Sequence, residues 1–488
     1  MLQAVSDEPW RSNGDTRERL ELLALQLIEQ DLDGPGEASA LVLRQLRENV
    51  APLLDACGAN EIGQLLAGLN GRFVPAGPSG APSRGRLDVL PTGRNFFTVD
   101  VRNLPTPTAY RLGFQSASRL LERHLQDHGD HLRQLGLSVW GTATMRSGGD
   151  DIAQALALLG VRPVWQAGSQ RVEDFEILPL SLLDRPRVDV TLRVSGFFRD
   201  AFANLIRLFD AAVQAVAALD EPEDMNPLAA RVRAESTQLQ TGGVTEEEAR
   251  RQAGWRIFGA QPGAYGAGVQ GVIEERNWES RADLAAAYLN WGGYAYGAGD
   301  DGTPARERFA QRLDGLQAVL HNQDNREHDI LDSNDYYQFQ GGMLAAAEVI
   351  QDRRVASYHG DHSQPDNPRI RTLKEELGRV LRARAVNPKW IAGMKRHGYK
   401  GAFEMAATVD YLFAFDATSE LVEDHQYQLL ADAYLLDEDT REFIQRHNPE
   451  ALRDMAERLL EAQQRGLWQE PGEYREALEN ILVDSEES

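Results

Sequence analysis

Residues 90–97 form a short polar turn whose residue types are suited to binding an anion. Pro91 and Gly93 precede the guanidinium of Arg94 and the amide of Asn95. Proline and glycine favour a tight turn, and a guanidinium pairs with a carboxylate through two parallel hydrogen bonds. The segment therefore predicts an anion-binding position at Arg94 and Asn95.

Residues 359–362 read His-Gly-Asp-His and combine imidazole groups with a carboxylate. Nitrogen and oxygen ligands of this kind suit divalent transition metals such as Co²⁺. We predict a loop between helices here, with His359, Asp361 and His362 as metal ligands. A polar loop that only caps the neighbouring helices is the alternative reading of the same pattern.

Two further segments carry groups that could exchange a proton. Asp332 and Asp335 lie close together in the first segment, and His397 lies in the second among basic and aromatic residues. A carboxylate or a neutral imidazole can accept a proton near neutral pH. For the segment that contains His397, a packed corner between two helices is the alternative interpretation.

Four arginines, Arg94, Arg146, Arg193 and Arg199, fall at or near the predicted ends of strands and turns. Guanidinium groups in such places could bind the carboxylates of a ligand. Alternatively, each arginine pairs with an acidic neighbour, as Arg199 could with Asp200 or Asp189.

The elements that must position these residues form an α/β pattern over residues 86–220. Helices are predicted at 110–128, from 150 or 151 to 159 and at 199–219, and strands at 135–140, 162–165, 175–178 and 188–194. Strands that alternate with helices favour a Rossmann-like domain with a largely parallel sheet. Such sheets bind ligands beyond the carboxyl ends of their strands, where several of the polar segments fall.

Helices are predicted on both sides of this domain. Residues 1–85 form a helical segment with a break at residues 34–36, followed by a loop at 74–85. Residues 221–488 form a mostly helical C-terminal region. Its helices are predicted at 305–320, 340–353, 370–384, 402–415, 437–446, 449–465 and 471–482.

Composition and motifs argue against several classes of function. The net charge is −24, which is unfavourable for nucleic-acid binding, and no apolar run is long enough to span a membrane. The single Cys57 and the absence of a signal-peptide pattern favour a cytoplasmic location. The glycine motif at 266–271 follows no clear strand, and no P-loop sequence occurs, so we expect neither dinucleotide binding nor ATP hydrolysis by this chain.

An ordered series of segments nevertheless points to one family. These segments lie at 90–97, 136–142, 146–151, 187–191, 195–200, 259–268, 361–363 and 387–415. Together they resemble the large subunits of the cobaltochelatase and magnesium chelatase family, and most closely the C-terminal part of the aerobic cobaltochelatase subunit. Arg94-Asn95 and Asp335-Tyr336-Tyr337 resemble the cobalt branch more than the magnesium branch.

The resemblance implies insertion of Co²⁺ into hydrogenobyrinic acid a,c-diamide during cobalamin synthesis. It implies that the arginines and Asn95 bind the carboxylates of the corrin precursor. His359, Asp361 and His362 would then bind cobalt, and Asp335, His362 and His397 would be the candidates for accepting protons from the ring.

The same resemblance implies several partners. An AAA+ ATPase subunit would hydrolyse ATP, a subunit with a von Willebrand-type metal site would assist it, and the missing N-terminal half of the large subunit would complete the cavity. We expect the chain alone not to catalyse. A magnesium–protoporphyrin chelatase fragment and a non-catalytic tetrapyrrole-binding or scaffold protein are the alternatives, and a nucleotide-dependent oxidoreductase is the weakest reading.

Overall fold

The protein is described by a computed structural model that covers residues 2–7, 9–11, 13–30, 36–80, 82, 87–97, 99–167 and 169–486. These residues fall into two compact units, Met1–Val99 and Asp100–Ser488. None of the helices within this coverage is both long and apolar enough to cross a membrane.

The N-terminal unit is mainly helical, as its sequence pattern predicts. Its helices are α1 (Asn13–Glu29), α2 (Glu37–Gln45) and α3 (Ala51–Leu69), and its strands are β1 (Ala76–Pro78) and β2 (Asn95–Phe97). The two strands pair in parallel, although β1 lies in a stretch predicted as a loop. The predicted break at 34–36 falls largely outside the described residues.

The C-terminal unit is built on one mixed sheet of eight strands and a separate two-stranded ribbon. In chain order, the strands are β3 (Gln134–Val139), β4 (Val161–Trp165), β5 (Val172–Ile177), β6 (Asp189–Val194), β7 (Ile257–Gly259), β8 (Tyr294–Gly297), β9 (Asp300–Pro304), β10 (Ala318–Gln323), β11 (Ala356–Asp361) and β12 (Arg369–Thr372). The order in the large sheet is β12-β11-β10-β3-β6-β7-β8-β9, and β4 and β5 form the ribbon.

Helices connect and cover these strands. They are α4 (Pro107–His128), α5 (Gly141–Ser147), α6 (Asp150–Leu159), α7 (Leu180–Leu183), α8 (Gly196–Ala201), α9 (Ala203–Ala217), α10 (Pro227–Thr241), α11 (Glu246–Gly254), α12 (Val269–Glu274), α13 (Arg281–Gly292), α14 (Arg306–Leu313), α15 (Asn334–Tyr336), α16 (Gly342–Gln351), α17 (Leu373–Val380), α18 (Pro388–Lys395), α19 (Tyr399–Ser419), α20 (Asp424–Ala431), α21 (Glu438–His447), α22 (Pro449–Gln464) and α23 (Tyr474–Glu486).

The central strands of the large sheet are parallel and its edges are antiparallel. Strands β11, β10, β3, β6 and β7 run in parallel, whereas β12, β8 and β9 pair antiparallel with their neighbours. Strand β6 is buried along its whole length, and β3 is buried except for its first residue, as expected for strands covered by helices on both faces. The predicted α/β class is confirmed, but the sheet is mixed rather than largely parallel.

The sheet crosses the predicted domain boundary at residue 220. Strands β3 and β6 precede that boundary, and β7 to β12 follow it. Residues 86–220 therefore do not complete a sheet of their own, and the region predicted as mostly helical supplies six of the eight strands. The ends of the predicted helix at 305–320 also differ, because α14 ends at Leu313 and β10 begins at Ala318.

The predicted loop at 359–362 was wrong, because His359 and Asp361 lie on strand β11. Most of this strand is buried in the sheet between β10 and β12. Its six residues, Ala-Ser-Tyr-His-Gly-Asp, lack the alternation of polar and apolar residues that identifies a half-buried strand. Its hydrogen bonds to two neighbouring strands, rather than an apolar pattern, hold it in place.

The order of the parallel strands reverses direction between β3 and β10. The chain moves from β3 to β6 and β7 on one side, and later adds β10 and β11 on the other side of β3. Adjacent strands whose connections leave in opposite directions open a crevice beyond their carboxyl ends, where open α/β sheets bind ligands. We therefore expect a ligand-binding crevice at the residues that follow β3 and β10.

Candidate functional site

A small cavity of about 80 Å³ lies at this position, and we call it the switch-point crevice. Its lining includes Trp140 from the end of β3, His321 and Asn322 from β10, and Asp335 from α15. Ligand pockets for cofactor-sized molecules are typically about 300–1,000 Å³. The crevice therefore has room for an ion and water but not for a macrocycle.

His321 is held in its neutral form at the back of the crevice. The indole Nε1 of Trp140 donates a hydrogen bond to Nε2 of His321 at 2.8 Å, which assigns a lone pair to that nitrogen. Complete burial, with the nearby imidazoles of His359 and His362, lowers the pKa of His321 well below its usual value. His321 is therefore a neutral imidazole whose Nε2 lone pair is engaged by Trp140.

Arg146 and Asp324 form a two-pronged ion pair at the crevice. Nε and Nη2 of Arg146 each lie 2.8 Å from a carboxylate oxygen of Asp324, which is buried. The hydrogen bond to Asp324 raises the pKa of Arg146. The alternative that an acidic residue pairs with Arg146 is therefore correct, although this arginine still lines the crevice.

Asp335 occupies a half-buried position in the same crevice. Its backbone N–H donates to the hydroxyl of Ser333 at 3.2 Å, which caps α15. Burial raises the pKa of the Asp335 carboxyl, so that the group can take up a proton at higher pH than an exposed aspartate. Of the three predicted proton acceptors, Asp335 alone lies in the lining of the crevice.

His362 lies behind the crevice in a group of hydrogen-bonded side chains that we call the buried polar cluster. Its Nδ1 is 2.8 Å from Oδ2 of Asp150, and its Nε2 is 2.7 Å from Oγ of Ser116. Asn322 connects the cluster to the crevice, because its side-chain amide donates to Asp151 at 2.8 Å and it also lines the crevice. The cluster consists of Ser116, Asp150, Asp151, Gln154, Asn322 and His362.

The three predicted metal ligands do not converge. Nε2 of His359 lies 3.6 Å from a carboxylate oxygen of Glu376. Asp361 contacts Arg326, Arg371 and Ser363; although burial opposes ionisation, the Ser363 hydrogen bond and the two guanidinium charges lower its pKa.

In the part of the chain that the structure describes, one group of three side chains has the arrangement of metal ligands. It consists of Asp150, Asp151 and His362, whose ligand atoms all lie within 4.8 Å of one another. His362 is one of the ligands predicted from the sequence, whereas the two aspartates were predicted only as the start of a helix. That helix begins as expected, but its N-cap is Gly149.

Arg193 and Arg199 are both buried, and both support the glycine-rich loop after β7. Nη2 of Arg193 donates to the carbonyl of Gly266 at 3.2 Å, and its guanidinium lies over the ring of Phe339. Arg199 pairs with Asp200, as one alternative predicted, and donates to the carbonyls of Ala260, Gln261 and Ala264. Neither arginine lines the crevice.

The remaining predicted site residues lie elsewhere. Arg94 and Asn95 belong to the N-terminal unit, where Arg94 donates to the carbonyl of Leu90 at 3.2 Å and Asn95 begins β2. His397 lies exposed in the turn between α18 and α19, so the predicted corner between two helices is correct.

The sequence analysis missed His321, Asn322 and Asp324, which follow Ala318-Val319-Leu320 directly. A short apolar run that ends in several polar residues is the signal that identified the other strand ends. It was overlooked here because residues 305–320 were predicted as one helix. Trp140 and Tyr336 carry no such signal, since large aromatic residues are usually part of a core.

Comparison with known proteins identifies the family. The family described as CobN/Magnesium Chelatase matches residues 2–475. The chain belongs to this family.

Within the CobN/Magnesium Chelatase family, cobaltochelatase subunits are strongly similar to this chain. The "Aerobic cobaltochelatase subunit CobN" of Pseudomonas aeruginosa is 81% identical over 100% of this chain, which covers 39% of that protein. The protein of the same name from Sinorhizobium sp is 57% identical over 96% of the chain and 37% of the relative. The chain thus spans about two-fifths of the length of these relatives.

A solved structure of a family member agrees with the fold. The "Catalytic Subunit of Cobaltochelatase from Mycobacterium tuberculosis" has a TM-score of 0.89 and 47% identity, covering 97% of this chain and 40% of that one. A magnesium-chelatase subunit of Chlorobaculum parvum is 31% identical over 95% of the chain and 36% of that protein. Cobalt-branch members are therefore more similar to this chain than this magnesium-branch member is.

Proposed function

We propose that this chain is the C-terminal part of a cobaltochelatase large subunit, which holds hydrogenobyrinic acid a,c-diamide and Co²⁺ while the metal is inserted. The observation that carries the proposal is the 81% identity, along the whole chain, to a protein named as an aerobic cobaltochelatase subunit.

In this proposal, Co²⁺ is a substrate that passes through the switch-point crevice. The crevice offers carboxylate oxygens at Asp324 and Asp335, and Nε2 of His321 would become a nitrogen ligand if it exchanged the Trp140 N–H for the metal. Oxygen and nitrogen ligands suit Co²⁺. Because the cavity of about 80 Å³ is too small for the ring, the corrin would lie across its mouth, with further polypeptide covering the other face.

Asp335 is the group that we propose takes a proton from the ring during insertion. Metal can enter the macrocycle only as the pyrrole-type nitrogens lose their protons. A carboxyl whose pKa is raised by burial is a better proton acceptor than an exposed carboxyl.

The energy source and partners belong to the same proposal. The chain has no P-loop sequence, so ATP would be hydrolysed by an AAA+ subunit, with a von Willebrand-type subunit as the third component. The remaining three-fifths or so of the large subunit's length would complete the cavity.

A spectroscopic titration tests the proposal at the level of ring binding. The 488-residue chain, joined to the upstream region of the Pseudomonas aeruginosa relative, is titrated with hydrogenobyrinic acid a,c-diamide and, separately, with protoporphyrin IX. We expect saturable, stoichiometric binding of the corrin and much weaker binding of the porphyrin. Preference for the porphyrin would favour the magnesium branch, and binding of neither ring would contradict the proposal.

A further inference from the structure

The buried polar cluster contains two carboxylates and an imidazole that face a common point. The side chains of Asp150, Asp151 and His362 are almost completely buried, and one ligand atom from each lies within 4.8 Å of the other two. The two aspartates are consecutive in the first turn of α6, whereas His362 follows β11, more than two hundred residues later. The tertiary fold, rather than local sequence, therefore brings the three together.

The imidazole of His362 is oriented by a second partner on its far side. Its Nε2 lies 2.7 Å from Oγ of Ser116, which in turn accepts a hydrogen bond from the Gln154 amide at 2.9 Å. Histidines that bind metals typically donate the N–H of the other ring nitrogen to a fixed acceptor. This arrangement leaves Nδ1 of His362 facing Asp150, as a metal ligand requires.

Two buried oxygen atoms in the cluster have no hydrogen-bond partner among the described residues. They are Oδ2 of Asp151 and Oδ1 of Asn322. The Asn322 amide is fixed in this orientation because its nitrogen donates to Asp151 and to Gln154. Buried polar atoms are almost always satisfied by protein, water or a bound ion, so the unsatisfied Oδ2 of Asp151, which belongs to one of the three converging groups, points to a ligand.

We propose that Asp150, Asp151 and His362 form a binding site for a divalent first-row transition metal ion. Binding would replace the hydrogen bond between Nδ1 of His362 and Oδ2 of Asp150. The mixed nitrogen and oxygen ligands favour Co²⁺ or Zn²⁺ over Mg²⁺, which is bound mainly by oxygen.

The switch-point crevice provides the route by which an ion reaches this site. Asn322 belongs both to the crevice lining and to the cluster, so it separates the two spaces by a single side chain. The site lies deeper than the crevice and is distinct from the groups that we propose act on the ring. It is a property of this chain's own residues and does not depend on the proposed chelatase function.

Binding of Co²⁺ to the full 488-residue chain, measured calorimetrically in excess Mg²⁺, tests this inference. We expect one tight site in the wild-type protein and at least a tenfold loss of affinity in Asp151→Asn and His362→Gln. The matched controls are Asp366→Asn and His425→Gln, whose side chains are 93% and 52% exposed. Both controls should bind Co²⁺ as the wild type does.

Equal Co²⁺ binding by the wild-type, Asp151→Asn and His362→Gln proteins would overturn the inference, and so would the absence of a tight site in the wild type. If the two variants do not fold, X-ray absorption of the wild-type chain with one equivalent of Co²⁺ decides instead. One imidazole among oxygen ligands supports the site, and two or more imidazoles contradict it.

The two proposals fail in different ways. Co²⁺ binding at this site without cobalt insertion by the completed subunit would contradict the proposed function and leave the metal site standing. Undiminished insertion together with Co²⁺ binding that Asp151→Asn does not weaken would contradict the metal site and leave the proposed function standing.

Discussion

At the scale of single residues, the chemistry of this protein depends on polar side chains that are buried and paired. Trp140 and Asn322 illustrate the principle, because each donates hydrogen bonds that fix the state of another group in or beside the crevice. A buried donor or acceptor that loses its partner costs about 1–3 kcal/mol, so these contacts determine both stability and the charge of the crevice.

The contact between Trp140 and His321 leads to a prediction for Trp140→Phe. The variant keeps an aromatic ring against Phe339, whose centroid lies 4.4 Å from that of Trp140, but it removes the N–H that His321 accepts. We expect the free energy of unfolding in urea to fall by about 1–3 kcal/mol.

Trp291→Phe is the matched control, because Trp291 also donates through Nε1, to the carbonyl of Tyr265 at 2.9 Å, but is 42% exposed. Water can replace that partner, so we expect a change below about 0.5 kcal/mol. If the two substitutions lowered the free energy of unfolding equally, the Trp140–His321 hydrogen bond would stabilise the protein no more than an exposed one does.

At the scale of elements, the switch-point crevice and the buried polar cluster lie next to each other at the carboxyl ends of β3, β10 and β11. Close packing of β11 against β10 depends on Gly360, because a Cβ at that position would overlap Oδ1 of Asn322. A change on one strand is therefore transmitted directly to a side chain on the next.

This close approach predicts the effect of Gly360→Ala. The added methyl group must displace the Asn322 side chain, and overpacking of this kind typically costs about 1–3 kcal/mol. We expect lower thermal stability, together with weaker Co²⁺ binding, because Asn322 donates a hydrogen bond to the proposed ligand Asp151.

Gly271→Ala provides the comparison, since nothing lies within 4 Å of a Cβ there and the residue is in helix α12. Alanine is favoured over glycine in a helix, so this variant should be as stable as the wild type or more stable. A Gly360→Ala protein with wild-type stability would contradict the packing described for β10 and β11.

Helix α19 carries a buried carboxyl that makes stability depend on pH. Burial raises the pKa of Asp416 from 3.8 to about 7, although Tyr427 donates to it at 2.8 Å. Between about pH 4 and pH 7 the folded state therefore binds a proton that the unfolded state has lost. The free energy of unfolding should fall by up to about 1.4 kcal/mol per pH unit as the pH rises through this range, and then level off.

Comparison with Asp416→Asn isolates this contribution. The difference in unfolding free energy between the wild type and the variant, measured in urea from pH 4 to pH 8, should change in the variant's favour as the pH rises. A difference that is constant over this range would show that Asp416 does not titrate there.

The elements that could be predicted from sequence were those with strong local signals. Helix α4 and strand β6 were predicted nearly to their ends, because one has a capped amphipathic pattern and the other a buried apolar run. Strand β10 was missed because its apolar run was predicted as the end of the helix at 305–320, and β11 was missed because polar residues occupy much of it and only pairing within the sheet defines it. The side chains that surround Asp335 and His362 could not be predicted, because the tertiary fold brings them together from distant parts of the sequence.

At the scale of the whole molecule, the candidate site lies in the smaller of two cavities. A cavity of about 860 Å³ lies beside α4 and α7, lined by residues such as Phe114 and Leu182, but it contains none of the predicted site residues. The switch-point crevice is about a tenth as large, yet it lies where the strand order reverses and contains the perturbed polar groups. The smaller cavity is therefore the one to which we assign the proposed function.

Cobalt insertion by a completed large subunit tests the central claim most directly. The chain is joined to the upstream region of the Pseudomonas aeruginosa relative and supplied with the ATPase and von Willebrand-type partners, ATP, Co²⁺ and hydrogenobyrinic acid a,c-diamide. We predict ATP-dependent formation of the cobalt corrin, and a fall in its rate of about 10²-fold or more in Asp335→Asn with ring binding retained. Failure of the wild-type assembly to insert cobalt, under conditions in which the intact Pseudomonas subunit succeeds, would contradict the account.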